Sequence, residues 1–159
     1  MTTSDDRELG AIIARHESKD GPLLPILHDV QAAFGCISEA AKREIAERLN
    51  LTRAEVHGVL GFYHDLRQAP PGRHVVKLCR AEACRAVGAE EFVAAVERRL
   101  GLSLGQTSAD GRVTLEAVFC LGNCACGPAA LIDGKLHARL DAGRVADLLA
   151  EAERRERAR

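Results

Sequence analysis

The sequence predicts an α/β protein in which an N-terminal helical subdomain, residues 1–70, precedes an α/β domain, residues 73–159. Three observations predict this class. Apolar residues recur at helical spacing in the first part, strand-like and helix-like segments alternate in the second part, and Ala-Pro-Pro-Gly at residues 69–72 separates them. Proline has no N–H to donate within a helix or a sheet, so neither element should continue through this segment.

Four short helices are predicted in the helical subdomain. In the segment PLLPILHDVQAAF the apolar residues lie on one helix face, and Gly35 is suited to end that helix. Side chains that cap helix N-termini mark the next two helices. The signals are the loosely periodic segment 5–16, Pro22 at the start of the second helix, Ser38 before a third helix that runs to about Leu49, and a capping box of Thr52 and Glu55.

The second part predicts the order βαβββα, with helices packed on a small mixed sheet. Asp133-Gly134-Lys135 is the expected hairpin turn, because Asp and Gly favour the backbone of tight turns. The predicted elements are a buried strand 74–79, an amphipathic helix 83–100, a strand 113–120, hairpin strands 129–132 and 136–140, and a final helix capped by Asp141.

Composition limits the range of functions. The chain is 47% hydrophobic but only 3% aromatic, and its net charge of -1 comes from interleaved charges of both signs. Because a basic patch and an aromatic platform are both lacking, nucleic acid is not an expected partner. No run reaches the roughly 20 apolar residues of a membrane span, and the acidic N-terminus does not resemble a signal peptide. We therefore expect a cytoplasmic protein without a membrane span.

Four of the six cysteines form two close pairs, Cys79 with Cys84 and Cys120 with Cys124. Cytoplasmic thiols stay reduced, so six cysteines indicate metal binding or redox work rather than structural disulfides. One pair follows each of the first two predicted strands. If those strands are neighbours, the four sulfurs meet at one edge of the sheet, where they would suit either a tetrahedral zinc ion or an iron-sulfur cluster.

Several features favour a [2Fe-2S] cluster. The C-x4-C and C-x3-C spacings are looser than the C-x2-C of common zinc sites, and each pair could hold one iron. Gly122 and Gly127 allow backbone N–H groups to approach sulfur. Arg80 and Arg85 either help to hold the negative charge or are ordinary solvated charges. A zinc site and a buried or disulfide-forming set of cysteines remain alternatives.

The other candidate residues carry weaker signals. Cys126 is expected to be a neighbour of the site, and Cys36 a small core residue. No motif of a nucleotide-binding loop, a metalloprotease or a serine hydrolase occurs, so we predict no catalytic residue. Three histidines of the helical subdomain, His28, His57 and His64, are interpreted as structural.

The segments GPLLPILHDVQAAFG, LTRAEVHGVLGFYHDLR, KLCRAEAC and CLGNCACGP resemble, in order and spacing, a family of thioredoxin-like [2Fe-2S] subunits that accompany flavin-containing NADH dehydrogenase modules. The resemblance covers residues 22 to about 134. Within that family, AEVHGV, FYHDLR, PPGRHVVKLCRAEAC and the Cys-Ala-Cys of the second loop are most similar to the gamma subunits of molybdenum-containing, NAD-dependent formate dehydrogenases.

This resemblance implies a thioredoxin-like fold for the second domain and a docking role for the helical subdomain. It implies that the ligands of one [2Fe-2S] cluster are Cys79, Cys84, Cys120 and Cys124. It also implies an electron-transfer subunit without catalytic residues of its own. FMN, the molybdenum cofactor and further iron-sulfur clusters would lie in the partners, a flavin- and NAD-binding subunit and a large molybdopterin subunit.

Other functions remain open at this point. The small iron-sulfur subunits of complex I and of NAD-reducing hydrogenases are close alternatives within the same resemblance. A free-standing ferredoxin-like carrier and a zinc-stapled interaction module belong to different classes, although a free carrier would not need the helical subdomain.

Overall fold

The computed structural model describes residues 3–158, and the side chains of residues 5–158. The first two residues of the predicted helical subdomain and the last residue of the chain lie outside this range. The chain forms two compact units that divide between Pro70 and Pro71. Within residues 3–158, no helix combines the length and the hydrophobicity that crossing a membrane requires.

The first unit contains helices α1 (Thr3–Ala14), α2 (Leu23–Phe34), α3 (Glu39–Arg48) and α4 (Arg53–Phe62). Both predicted N-caps are confirmed. The Ser38 side chain accepts a hydrogen bond from the N–H of Ala41 at 3.1 Å, and Thr52 and Glu55 bond reciprocally as a capping box. Such caps satisfy N–H groups that have no partner inside their own helix, so they fix where α3 and α4 begin.

One apolar core holds the helical unit together. All four helices contribute aliphatic side chains to it, and α2 ends at Gly35, whose φ of 77° is left-handed. The fully buried side chains include Leu9, Ile13, Ile26, Leu27, Val30, Ile45 and Val56. The core of this unit is therefore aliphatic, as the low aromatic content predicts.

The second unit is a four-stranded mixed sheet with helices, which confirms the predicted class and number of strands. Its strands are β1 (His74–Cys79), β2 (Val113–Val118), β3 (Ala130–Ile132) and β4 (Lys135–His137). The strand order is β2-β1-β3-β4. β1 and β2 are parallel neighbours, as the cysteine hypothesis requires, and the β1/β3 and β3/β4 pairs are antiparallel.

Two helices pack on the same apolar cluster as the sheet. They are α6 (Ala89–Leu100) and α7 (Ala142–Arg157). The N-cap Asp141 accepts a hydrogen bond from the N–H of Arg144 at 2.8 Å, so the predicted start of α7 is confirmed. The cluster joins Val76, Leu78 and Leu115 of the strands to Phe92, Val93, Val96, Val145 and Leu149 of the helices.

The helix predicted over residues 83–100 is wrong as a single element. A short helix, α5 (Glu82–Arg85), comes first, and α6 begins only at Ala89. Gly88 lies between them with φ 90°, a left-handed conformation that a continuous helix cannot include. The break allows the chain to turn beside the cysteine-bearing edge of the sheet.

Strand ends also differ from the prediction. β2 ends at Val118 rather than at Cys120, because Cys120 has φ 77°, outside the extended region. The hairpin turn has two residues, Asp133 and Gly134, both with positive φ, and Lys135 already belongs to β4. The hairpin strands are shorter than the predicted 129–132 and 136–140, because β3 begins at Ala130 and β4 ends at His137.

Candidate metal centre

The two cysteine pairs lie at the same edge of the sheet. Cys79 is the last residue of β1 and is paired in register with Val118, the last residue of β2. Cys120 follows two residues after β2. Cys84 lies on α5, and Cys124 begins a short 3-10 helix, Cys124–Cys126, that contacts α5. The parallel pairing of the two strands thus brings the two loops together.

The second pair has the spacing of two ligands on one metal ion. The Sγ atoms of Cys120 and Cys124 are 3.8 Å apart. This is much longer than the about 2.05 Å of a disulfide bond, and all six cysteines are free. Two sulfurs bound at about 2.3 Å to one tetrahedral metal ion are about 3.8 Å apart. The distance therefore fits a shared metal ion.

The first pair lies in the interior. Cys79 and Cys84 are each only 2% exposed, and both pack with Ala89 and Ala129. Burial raises the pKa of the Cys84 thiol, and the neighbouring Cys79 sulfur raises it further. These two thiols are therefore packed against small apolar side chains in the interior.

Backbone N–H groups point at the Cys79 sulfur. Burial by itself would raise the pKa of this thiol, but hydrogen bonds from the N–H groups of Ala81, Cys120 and Leu121 outweigh it and lower the pKa below its ordinary value. The hydrogen bond with the Cys84 thiol acts in the same direction. Such donors also stabilise metal-bound thiolates and set the reduction potentials of iron-sulfur clusters.

The two glycines predicted near the site have different roles. Gly122, with φ 75°, donates its N–H to the Cys120 sulfur at 3.4 Å. A Cβ on Gly127 would lie 2.8 Å from Cγ2 of Val87 and 3.3 Å from Sγ of Cys84. Gly122 therefore supplies a donor in a left-handed turn, whereas Gly127 keeps space beside the buried pair.

The two arginines predicted near the site differ in their ion pairs. Arg85 is bound to Glu90 at 2.7 Å and to Glu82 at 3.5 Å, so carboxylates offset its positive charge. Arg80 follows Cys79 directly and makes no ion pair with a described residue. The sequence pattern did not indicate the partners of Arg85, because they lie on both sides of the unpredicted break at Gly88.

The remaining predicted residues are half-buried or exposed. Cys126 is half-buried at the end of the 3-10 helix, and Cys36 is half-buried in the helical unit rather than part of its buried core. Three histidines of the helical unit, His28, His57 and His64, are exposed. The fourth, His16, is half-buried, and its Nε2 lies 2.8 Å from Oδ2 of Asp29.

Sequence reasoning missed two kinds of contributor to the site. The N–H donors to Cys79 belong to the main chain, so no residue type signals them. Two apolar side chains beside the cysteines are exposed, Phe119 by 73% and Val87 by 52%. Phe119 precedes Cys120 and lies just beyond the end of β2. The predicted strand 113–120 included it, and a strand predicted to end at Val118 would have indicated that this side chain lies in the cysteine loop.

Comparison with known proteins identifies relatives across most of the chain. Residues 9–153 match the family described as thioredoxin-like [2Fe-2S] ferredoxin. The chain is 37% identical over 134 residues to an NADH-quinone oxidoreductase subunit of Pseudomonas aeruginosa, covering 84% of this chain and 81% of that protein. It is 30% identical over 145 residues to the NADP-reducing hydrogenase subunit HndA of Solidesulfovibrio fructosivorans, covering 91% and 85%.

A solved structure is similar as well. It is the crystal structure of an NAD+-reducing [NiFe]-hydrogenase in the air-oxidized state, with a TM-score of 0.69 and 26% identity over 84% of this chain. This chain covers 23% of the hydrogenase chain, so the similarity concerns about a quarter of that longer polypeptide.

Proposed function

The chain belongs to the thioredoxin-like [2Fe-2S] ferredoxin family, and we propose that its two cysteine pairs hold the [2Fe-2S] cluster that this family carries. The ligands would be Cys79 and Cys84 in one pair and Cys120 and Cys124 in the other. The observation that supports this assignment is the position of both pairs at the ends of adjacent parallel strands. The 3.8 Å sulfur separation of the second pair fits it as well.

The chain's own residues would hold the cluster and stabilise its charge. When bound, the cluster supplies the ability to take up and release one electron at a time. N–H groups of Ala81, Leu121 and Gly122 donate to the cysteine sulfurs, so they would favour thiolate and added negative charge there. Gly127 leaves room beside Cys84. The chain would therefore transfer electrons without making or breaking substrate bonds.

We propose that this electron-transfer subunit serves an NAD-dependent formate dehydrogenase. The support is the sequence segments AEVHGV, FYHDLR and PPGRHVVKLCRAEAC together with Cys-Ala-Cys, which resemble the gamma subunits of such enzymes. In that assembly a molybdopterin subunit would oxidise formate to CO2, and a flavin- and NAD-binding subunit would reduce NAD+ to NADH. FMN, molybdenum cofactor and further iron-sulfur clusters would belong to those partners. The expected location is the cytoplasm, where the free thiols stay reduced.

A second candidate follows from the relatives. A subunit of an NADH-quinone oxidoreductase and a subunit of an NADP-reducing hydrogenase are similar over most of this chain. The alternative function is therefore the small iron-sulfur subunit of complex I or of an NAD-reducing hydrogenase. Both candidates need the same cluster and a flavin-containing partner, and they differ in the electron donor and acceptor.

The helical unit is proposed to dock on the partner. Phe62 and Tyr63, at the end of α4, are 74% and 42% exposed and contact each other edge to face with ring centroids 5.1 Å apart. Exposed aromatic side chains are enriched at protein interfaces. Replacing both by Ser should reduce copurification of the flavin subunit without changing the iron content per chain, and unchanged copurification would contradict this docking role.

The decisive experiment is purification of the native complex under anaerobic conditions. We expect a brown complex whose small subunit gives a one-electron paramagnetic signal after reduction, and formate-dependent NAD+ reduction. Reduction of NAD+ by hydrogen, or of quinone by NADH, with no response to formate would favour the second candidate. A colourless small subunit with one zinc ion per chain would contradict the cluster itself.

A further inference from the structure

A second group of metal-ligating side chains lies at the opposite end of β1 from the cysteines. His74, the first residue of this strand, is only 2% exposed. Its Nδ1 is 2.8 Å from Oδ2 of Asp133, whereas its buried Nε2 has no hydrogen-bond partner among the described residues. The carboxylate of Glu156, near the end of α7, lies 3.6 Å from this Nε2. We propose that His74 and Glu156 bind a divalent transition metal ion.

Asp133 prepares the histidine for this role. Its Oδ1 accepts a hydrogen bond from the N–H of Val75 at 2.9 Å, and its Oδ2 accepts one from Nδ1 of His74 at 2.8 Å. These two hydrogen bonds hold the carboxylate in place. A proton on Nδ1 leaves the lone pair on Nε2. Metal-ligating histidines typically donate their other N–H to a carboxylate in this manner.

The separation of the two ligands fits one metal ion. With a metal-nitrogen distance of about 2.05 Å and a metal-oxygen distance of about 2.1 Å, a 3.6 Å separation corresponds to a ligand angle of about 120°. No three His, Cys, Asp or Glu side chains surround one ion position in the described part of the chain. The protein would therefore supply two ligands, and water from a cleft of about 470 Å³ lined by both residues would complete the shell.

The charges in the cleft favour the binding of a divalent ion with moderate affinity. The carboxylates of Asp133 and Glu156 together balance two positive charges, and imidazole favours Zn²⁺, Ni²⁺ or Co²⁺ over Mg²⁺ or Ca²⁺. Lys135 and Arg155 line the same cleft and weaken cation binding, whereas Arg144 is bound to Glu151 at 3.2 Å.

A bound metal ion would link the C-terminal end of α7 to the sheet. The fully or nearly fully buried residues of this helix, Val145 and Leu149, lie in its first half. Glu156 lies about two turns beyond Leu149, where a shared metal ion would link it to β1 and to the hairpin turn. A ligand that binds only the folded protein stabilises it, so the metal should raise the unfolding temperature.

The test uses the ¹⁵N-labelled full chain with its cluster loaded and Co²⁺ as the probe. Paramagnetic broadening should centre on the amides around His74, Asp133 and Glu156, and Co²⁺ should raise the unfolding temperature. Glu156→Gln should weaken Co²⁺ binding at least tenfold, and Asp133→Asn about tenfold. Because Glu156 is half exposed, its replacement should leave the fold intact.

Glu153→Gln is the matched control on the same helix, since the carboxylate of Glu153 pairs with Arg112 at 3.4 Å, whereas that of Glu156 is the one that lies 3.6 Å from Nε2 of His74. This variant should bind Co²⁺ as the parent chain does. Broadening centred on the cysteines or on His137, equal affinities for the parent and the Glu156→Gln variant, or no broadening at millimolar Co²⁺ would each overturn the site.

Discussion

The two cysteine pairs share one edge of the sheet but occupy opposite environments. Cys79 and Cys84 are buried against Ala89 and Ala129, whereas Cys120 and Cys124 are exposed in the loop after β2. A cluster held between them would be anchored in the protein interior on one side and accessible to a redox partner on the other. If the proposed ligand set is right, the first pair would contribute to folding as well as ligation, and the second pair to ligation and access.

The largest expected effect comes from removing one ligand of each pair. Cys84→Ala and Cys124→Ala should both abolish the cluster, measured as iron and sulfide per chain. In the cluster-free state, the two variants should differ in their free energy of unfolding. Loss of one buried heavy atom should lower the free energy of unfolding by about 1 kcal/mol, whereas loss of the exposed sulfur should change it by less than about 0.5 kcal/mol. Denaturant unfolding of the cluster-free proteins measures this difference. Equal stabilities would contradict the claim that the buried pair contributes more to folding than the exposed pair.

The next effect concerns the space beside the buried pair. Gly127→Ala would place a methyl group 2.8 Å from Cγ2 of Val87 and 3.3 Å from the Cys84 sulfur. We expect a loss of about 1–2 kcal/mol of stability and a lower cluster content after reconstitution. Adding Val87→Ala should restore most of the stability, because it removes the shortest of these contacts.

Gly122→Ala is the control for that experiment at the exposed pair. No atom lies within 4 Å of a Cβ placed there, but the φ of 75° is unfavourable for alanine by about 1 kcal/mol. Val87→Ala should not rescue this variant. Rescue of both glycine variants by Val87→Ala would show that the contact with Val87 is not the cause.

Local signals made much of this architecture predictable. Ser38 and the Thr52 capping box fixed the starts of α3 and α4, because caps act through residues three positions away. The end of β1 at Cys79 and the cap at Asp141 were also predicted, and strand ends on neighbouring parallel strands correctly implied that the cysteine loops meet.

Features that depend on tertiary contacts were not predictable. The break at Gly88 and the left-handed Cys120 belong to a chain that bends around the buried sulfurs, and no local preference requires either conformation. The N–H donors to Cys79 come from residues on two separate loops. The sequence therefore located the candidate ligands, but it did not show which pair is buried.

The smallest effect concerns the acidity of the exposed thiols in the cluster-free protein. The hydrogen bond and the charge of Cys120 raise the pKa of Cys124, whereas N–H donors lower the pKa of buried Cys79. Alkylation requires the thiolate. A raised pKa keeps the thiol protonated to higher pH, so alkylation of Cys124 should rise at higher pH than that of a cysteine in a short peptide. Cys79 should react slowly throughout, because burial blocks access.

Mass spectrometry of iodoacetamide-treated protein over a pH series measures both rates. Cys120→Ala should move the Cys124 profile to lower pH, since it removes the neighbour 3.8 Å away that raises this pKa. An unchanged profile would mean that the two exposed sulfurs do not interact without the cluster. The second pair would then be brought together by the metal, whereas the first pair is held by the fold.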